Sequence, residues 1–373
     1  MNRQTCANNG YEASLFEFDH VFSEAQRQDK FYSQSVKPLV QSFVEGENGS
    51  VIFFGPSQSG KTYSLHGKAG KERGIVPRAI EDVLTIVKNT YEHGENLNSS
   101  SIIEDFGTDT QPILSVNAGA SKFGIPRNIL TNNSQIQVYG NNEAAKDYDG
   151  VSDRIFIKMS VYLIYCDRIF DLLSAKSSKK NVKLEHYIDQ ATSQVVTKFS
   201  NMTEKLVLSL EQYYAVIQDA FRERKTVSMR LTDHEIRKRS HLVISLGLVT
   251  QSKEGGPMRE ISRLNFAELC GSEQSVAQGG QARDTTVRQF VTKSFNCLST
   301  QILKSSLGKR TQLEEGDSSL VAALKNTLTS KSNVLLVACA SSAPQFFDHA
   351  LPAIKFCARI RDTIVRKLQK LGF

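Results

Sequence analysis

The stretch that most constrains this chain is Gly55-Pro56-Ser57-Gln58-Ser59-Gly60-Lys61-Thr62, which fits the phosphate-loop pattern G-x-x-x-x-G-K-[ST]. Val51-Ile52-Phe53-Phe54 before it reads as a buried strand, and the residues after Thr62 can open a helix. Gly55 and Gly60 let the backbone curl so that successive N–H groups point at phosphate oxygens, beside a helix N-terminus that favours anions. Lys61 would then reach the β- and γ-phosphates, and the Thr62 hydroxyl would ligate Mg²⁺. The bland alternative is a Gly/Ser-rich turn, but the strand before the loop and the four filled positions argue against it.

At 373 residues the chain can hold one large α/β domain or two small ones. No apolar run approaches the ~20 residues a membrane span needs, and residues 1–20 lack the apolar core of a signal peptide. Six scattered cysteines without a C-x-x-C pair suit reduced thiols in the cytoplasm and exclude a disulfide framework or zinc site. The net charge of +7 suits an acidic partner, and nucleic acid, anionic lipid and an acidic protein polymer all qualify.

Read in order, residues 1–13 carry no clear periodicity, and Phe16 to Phe22 alternates like a half-buried strand. Helical spacing follows from Ser23 to Val44, and another helix is expected from about Ala79 to Tyr91, after a break at Gly74-Ile75-Val76-Pro77-Arg78. Residues 93–150 are rich in Asn, Ser, Gly and Asp and read as a polar surface insertion, with a hairpin around Ser134 to Tyr139. Ile155 to Tyr165 is a strand, and Asp167 to Leu173 a turn into a short helix. Ser174 to Lys183 is a solvated loop and Leu210 to Arg224 a helix. Leu242 to Val249 and Ser262 to Phe266 are strands, Val287 to Leu303 is helical, and Val334 to Ala340 reads as a fully buried strand. A basic helix from about Pro352 to Leu371 closes the chain. Strands and helices alternating around a phosphate loop predict an α/β fold of the P-loop NTPase type, a central, mostly parallel mixed sheet with helices on both faces.

Several stretches together resemble the kinesin motor domain, in its order, over about residues 16–362. Phe16-Glu17-Phe18-Asp19-His20-Val21-Phe22 is similar to F-x-F-D-x-V-F. Pro38-Leu39-Val40, the phosphate loop and Gly74-Ile75-Val76-Pro77-Arg78 follow, and Ile164 to Leu173 resembles I-Y-N-E-x-V-Y-D-L-L. Arg239-Ser240-His241 sits where switch I ends in S-S-R-S-H, and Glu268 to Glu273 reads E-L-C-G-S-E against D-L-A-G-S-E of switch II. Thr292-Lys293-Ser294-Phe295 and Lys355 to Arg361 are similar to N-K-S-L and N-F-A-x-R-x-R.

The resemblance implies a single motor domain spanning 1–373 with no coiled-coil stalk. It implies ATP on Gly55 to Thr62, with Tyr63 stacking on adenine or merely packing on the sheet. Gly271 would offer its N–H to the γ-phosphate, while Arg239 and Glu273 would pair across the pocket and order the attacking water, with Ser240 beside them. Mg²⁺ would be held by Thr62 and, through water, by Glu268. Glu268 stands where the family has Asp, and its extra methylene displaces the carboxylate by about an ångström at a metal that demands regular geometry. Arg237 and Lys238 replace the two switch I serines, removing a metal-facing hydroxyl, and His234 replaces an Asn. The two cations either neutralise phosphate or form a solvated loop, the reading we favour. The family's opening strand with its R-x-R-P adenine contact has no counterpart, which would weaken affinity and leave a sheet edge uncovered.

Along the helix from Val287, residues Val287, Phe290, Val291, Phe295, Leu298 and Ile302 fall in one apolar arc. Lys293 and Lys304 fall together away from it, and residues 286–310 hold five basic side chains and no acidic one. That is either a solvated basic face or, as the resemblance implies, a tubulin-binding face formed by Lys293, Lys304, Lys309 and Arg310. In place of the family's basic Y-R-D-S-K-L-T segment the chain then reads Glu314 to Leu320, which is acidic and would weaken affinity for tubulin. The expectation is a microtubule-associated ATPase in the cytoplasm, with neither membrane nor nucleic acid as partner and its oligomeric state open. The rivals are a degenerate module that binds microtubules with little or no turnover, and an unrelated NTPase on nucleic acid, for which no aromatic-interleaved basic platform appears.

Overall fold

A computed structural model describes residues 15–370 save 69, 92–153, 175–181, 189–194, 253–257, 276–281, 309–315, 342 and 344–345. The expected insertion with its hairpin, and the solvated loop apart from its ends, lie outside the described residues. Strand β1 (Gly49–Phe54) is buried at all six positions. Its apolar residues can be buried on both faces because it lies inside the sheet, parallel to β8 (Arg259–Glu268) on one side and β9 (Asn333–Ala338) on the other. Beyond β8 the order continues through β7 (His241–Gln251), β2 (Arg154–Tyr165) and β3 (Arg168–Asp171), with the two-residue β6 (Lys205–Leu206) also on β2. The mixed sheet is as expected, but its parallel part is confined to the β8–β1–β9 core. β4 (Lys183–Ile188) and β5 (Val195–Ser200) form a separate hairpin that the residue pattern did not suggest.

Consecutive residues of β1 identify the two covering layers, because neighbouring side chains on a strand face opposite ways. Phe53 meets Phe31 edge-on at 6.3 Å between ring centroids. Phe54 meets Phe295 at 4.6 Å and Phe356 at 4.7 Å. Phe31 ends α1 (Gln28–Phe31), which runs through a π turn (Tyr32–Val36) into α2 (Lys37–Val44). Pro38, which cannot donate a backbone bond, directly follows the π turn, where the regular helical bonding pattern is already interrupted. α3 (Lys61–His66) follows the phosphate loop. α4 (Ile75–Tyr91) and α5 (Leu210–Arg230) complete the layer on the Phe53 side. A four-residue α6 (Ile236–Arg239) leads into β7. On the Phe54 side lie α7 (Ala282–Ser306), α8 (Ser319–Leu324) and α9 (Phe347–Lys370). Among the described residues, no helix is long and apolar enough to cross a membrane.

Four local expectations need correction. Phe16 to Phe22 alternates but forms no strand; Phe22 packs on Phe31 at 5.1 Å, and Arg361 of α9 bonds Asp19 at 3.2 Å and Glu17 at 3.4 Å. A strand exists only where another offers its ladder, and this stretch is held by side chains instead. α4 begins at Ile75, not Ala79, because Pro77 is tolerated in a first turn. β9 is half-buried throughout, being the outermost strand on its side among the described residues. Asp167 to Leu173 continues as β3, because Cys166 and Asp167 both adopt left-handed backbone angles (φ 49° and 56°) and turn the chain straight back on β2.

That turn is also a junction. Asp167 Oδ2 accepts from Lys293 Nζ of α7 at 2.7 Å and Oδ1 from the Ser319 amide of α8 at 2.9 Å, while its carbonyl accepts from Ser319 Oγ at 2.7 Å. Asp167→Ala loses both acceptors and the residue's tolerance of the left-handed region, so it should cost about 2–3 kcal/mol in urea unfolding. Asp167→Asn keeps that tolerance and one acceptor and should cost about 1 kcal/mol or less, since the Lys293 pair is partly exposed. Equal losses for the two would show that the junction does not stabilise the fold in this way.

Candidate functional site

The loop after β1 is built on two glycines for different reasons. A Cβ on Gly55 would lie 2.2 Å from the Cys339 carbonyl oxygen, so only glycine permits that approach. Gly60 caps α3 at φ 93°, a left-handed angle that side chains rarely adopt. Gln58 adopts φ 66° as well. Backbone bonds tie the loop down on both flanks: Leu269 N donates to Phe53 O at 3.0 Å, Cys339 N to Phe54 O at 2.7 Å, and Ser272 N to Gly55 O at 3.0 Å.

Lys61 is buried, and its ammonium donates to the carbonyls of Gly55 at 2.7 Å and Pro56 at 2.6 Å. Burial lowers its pKa, an effect that Glu268 and Glu273 partly offset. Thr62 Oγ1 donates to Glu268 Oε1 at 2.5 Å. Glu268 is the last residue of β8, opposite Phe53 in register, and it reaches the loop despite its extra methylene. Its Oε2 is buried with no hydrogen-bond partner among the described residues, and so is Ser59 Oγ. A hydroxyl beside a carboxylate with an unused oxygen is a hard-oxygen donor set, and it fits Mg²⁺.

The switch residues converge here with pairings other than those expected. Glu273 accepts from the Ser57 amide at 3.0 Å and from Ser57 Oγ. Burial pushes the Glu273 carboxyl up, but the Ser57 bonds outweigh it and hold the pKa below its usual value. Arg239 does not pair with Glu273; its guanidinium lies 2.9 Å from Asp284, 3.1 Å from Glu235 and 3.6 Å from Asp233. Three nearby carboxylates outcompete a fourth that is already bonded to the loop. Gly271 N donates to the Lys238 carbonyl at 2.9 Å, joining the two switches through the backbone. Ser240 is buried and donates to the Ile236 carbonyl.

Three further residues complete the site. Arg224 of α5 is buried, donates to the Arg237 carbonyl at 3.2 Å and Ser240 Oγ at 3.3 Å, and keeps Nε without a partner. Burial lowers its pKa to about 10, Glu268 raising it and Arg237 lowering it further, so it remains a cation at neutral pH. The signal was present in the sequence, since Arg224 falls on the helical stripe of Tyr213, Ile217, Ala220 and Val227. Gln28, also buried, donates to the Tyr63 carbonyl at 2.8 Å and steadies that residue, which is itself 44% exposed. His241 accepts from the Cys270 amide through Nδ1 at 3.2 Å.

On α7, Val287, Val291, Phe295, Leu298 and Ile302 are buried as the apolar arc requires, and Phe290 is half-buried. Lys293 is committed to Asp167, Lys304 is half-buried, and Lys309 and Arg310 lie outside the described residues.

A parallel-strand core ending in a phosphate loop, with a carboxylate beside the loop's threonine, defines a P-loop NTPase fold. The kinesin motor domain model matches residues 2–363, and the chain belongs to that family. The mouse kinesin-like protein KIF27 is 23% identical over 364 residues, 93% of this chain and 21% of that protein. The Drosophila melanogaster kinesin heavy chain is 24% identical over 334 residues, 88% of this chain and 27% of that protein. The chain thus spans about a fifth to a quarter of the length of these relatives. Among solved structures, the motor domain of a Kar3-like kinesin from Ashbya gossypii superposes with a TM-score of 0.63 at 19% identity, covering 95% of this chain and 88% of that one. A fast kinesin gives the same score and identity over 92% and 79%.

Burial lowers the pKa of His66 and His241 to about 4, from 6.5. Both are therefore neutral when folded, while the unfolded chain takes up protons below about 6.5, so folding stability is full above that pH and falls as pH drops towards 4. A pH series of thermal melts should show this decline, with His241→Gln declining less steeply. A flat profile across that window would contradict the two buried, neutral imidazoles.

Proposed function

We propose that this chain is one motor domain that binds and hydrolyses ATP and couples turnover to movement or force along microtubules. The observation that carries the reading is the phosphate loop at the end of a parallel core strand, with Lys61 buried inside it and the Thr62–Glu268 pair beside it. When bound, Mg²⁺ supplies charge neutralisation at the phosphates, and Thr62 and, through water, Glu268 are the residues to hold it. Lys61 would exchange the Gly55 and Pro56 carbonyls for phosphate oxygens. Gly271 would release the Lys238 carbonyl and offer its N–H to the γ-phosphate, and Glu273 would leave Ser57. Those exchanges connect the loop to the switches and so to α7, whose Lys293 and Lys304, with Lys309 and Arg310 after it in the sequence, are the residues proposed to face the acidic tubulin surface. The chain would accordingly sit on cytoplasmic microtubules, without membrane or nucleic acid as partner.

A second reading is a module that binds microtubules with weak or no turnover. What favours it is the placement of Arg239 among Asp233, Glu235 and Asp284, away from Glu273, together with Arg237 in the position of a switch I serine. Steady-state hydrolysis of ATP with Mg²⁺, with and without microtubules, separates the two. For the motor reading, microtubules should stimulate turnover and Lys61→Ala should lower it by about a hundredfold or more. Unchanged turnover in Lys61→Ala would overturn that reading, and microtubule co-sedimentation without turnover would establish the second.

A further inference from the structure

Switch I carries three consecutive cations, and their surroundings differ. Lys238 Nζ is 2.7 Å from Glu235, and Arg239 is held by three carboxylates. Arg237 points to the loop instead. Its guanidinium donates to Thr62 Oγ1 at 3.4 Å, the one hydrogen bond it makes among the described residues. The same hydroxyl donates to Glu268 Oε1 at 2.5 Å, leaving Glu268 Oε2 buried and unpartnered. Behind this group Arg224, 7% exposed, donates to the Arg237 carbonyl and keeps its own Nε unpartnered. The favoured expectation of a solvated loop therefore suits Lys238, but Arg237 belongs to the site.

A hydroxyl–carboxylate pair suited to a hard divalent cation thus has a cation of the protein beside it, with a buried second guanidinium behind it. A guanidinium stays charged at any working pH and presents paired N–H groups that match phosphate oxygens. A divalent ion in the same place would meet like-charge repulsion.

We propose that Arg237 is a resident counter-ion for the nucleotide phosphates and competes with Mg²⁺ for the Thr62 hydroxyl, so that the affinity of this chain for ATP depends little on Mg²⁺. This deepens the reading of Gly55 to Thr62 as a nucleotide loop and rests on it. Thr62 and Glu268 act here as positioning residues: the hydroxyl accepts from Arg237 while donating to the carboxylate, which orients the cation towards the loop. On binding, Arg237 exchanges Thr62 for phosphate oxygens, with no covalent change.

The test is equilibrium binding of a fluorescent ATP analogue to the full chain, in excess Mg²⁺ and in EDTA. The wild-type Kd should differ between the two buffers by no more than about threefold, and for Arg237→Ser the ratio should rise to about thirtyfold. Arg237→Lys, which keeps the charge without the paired donors, should fall between them. Because Arg237 is exposed, the serine variant is expected to fold, as a thermal melt will check, and Arg237→Gln serves if it does not. A wild-type ratio above about tenfold, or equal ratios for wild type and Arg237→Ser, would overturn the inference and leave the loop as an ordinary Mg²⁺–nucleotide site. No saturable binding by the wild type in either buffer would overturn the nucleotide reading itself, and this inference with it.

Discussion

The contact between Gly55 and the Cys339 carbonyl, where no Cβ fits, sets the position of everything around the loop. It exists because β1 runs parallel to both of its neighbours, so all three strands end at the same side of the sheet. β8 then delivers Glu268 to one flank of the loop and β9 delivers Cys339 to the other, as open parallel sheets generally bring their sites to strand C-termini. Antiparallel pairings fill the rest of the sheet, and Cys166 and Asp167 turn β2 straight back into β3. The arrangement buries β1 on both faces, between the Phe31 layer and the Phe295–Phe356 layer.

A second constraint is electrostatic. Most of the groups with phosphate chemistry are paired within the protein: Lys61 with loop carbonyls, Gly271 N–H with Lys238, and Glu273 with Ser57. Leaving a buried polar group unpaired costs about 1–3 kcal/mol, so internal pairing is the expected state of such a site. Binding at this loop would therefore exchange hydrogen bonds instead of simply adding them. The same pairings join the loop to both switches, so a ligand that rearranges one rearranges the others. Ser59 Oγ in the loop is left without a partner, as are Glu268 Oε2 and Arg224 Nε, whose side chains bond the Thr62 hydroxyl and the Arg237 carbonyl.

Much of this was legible in the sequence where the signal is local. The loop motif placed its own strand and helix, and the arc of Val287, Val291, Phe295, Leu298 and Ile302 identified the buried side of α7. Phe16 to Phe22 misled because alternation describes a strand's faces but says nothing of a neighbour to bond with. Asp167 to Leu173 misled because a short apolar run suits helix and strand equally, and the two left-handed residues before it decided the matter. Arg224 was visible as a cation on an apolar stripe, yet its proximity to switch I was not.

The sequence by itself determined the family, the phosphate loop and the residue types available around it, since these follow from ordered motifs and periodicities that survive at 23–24% identity. Only the tertiary structure decided which charge meets which. Arg239 faces three carboxylates within reach of one guanidinium, Lys293 meets an aspartate 126 positions away, and Arg237 lies on a threonine 175 positions away. Ion pairing depends on distance and burial, and chain folding sets both without regard to spacing in sequence.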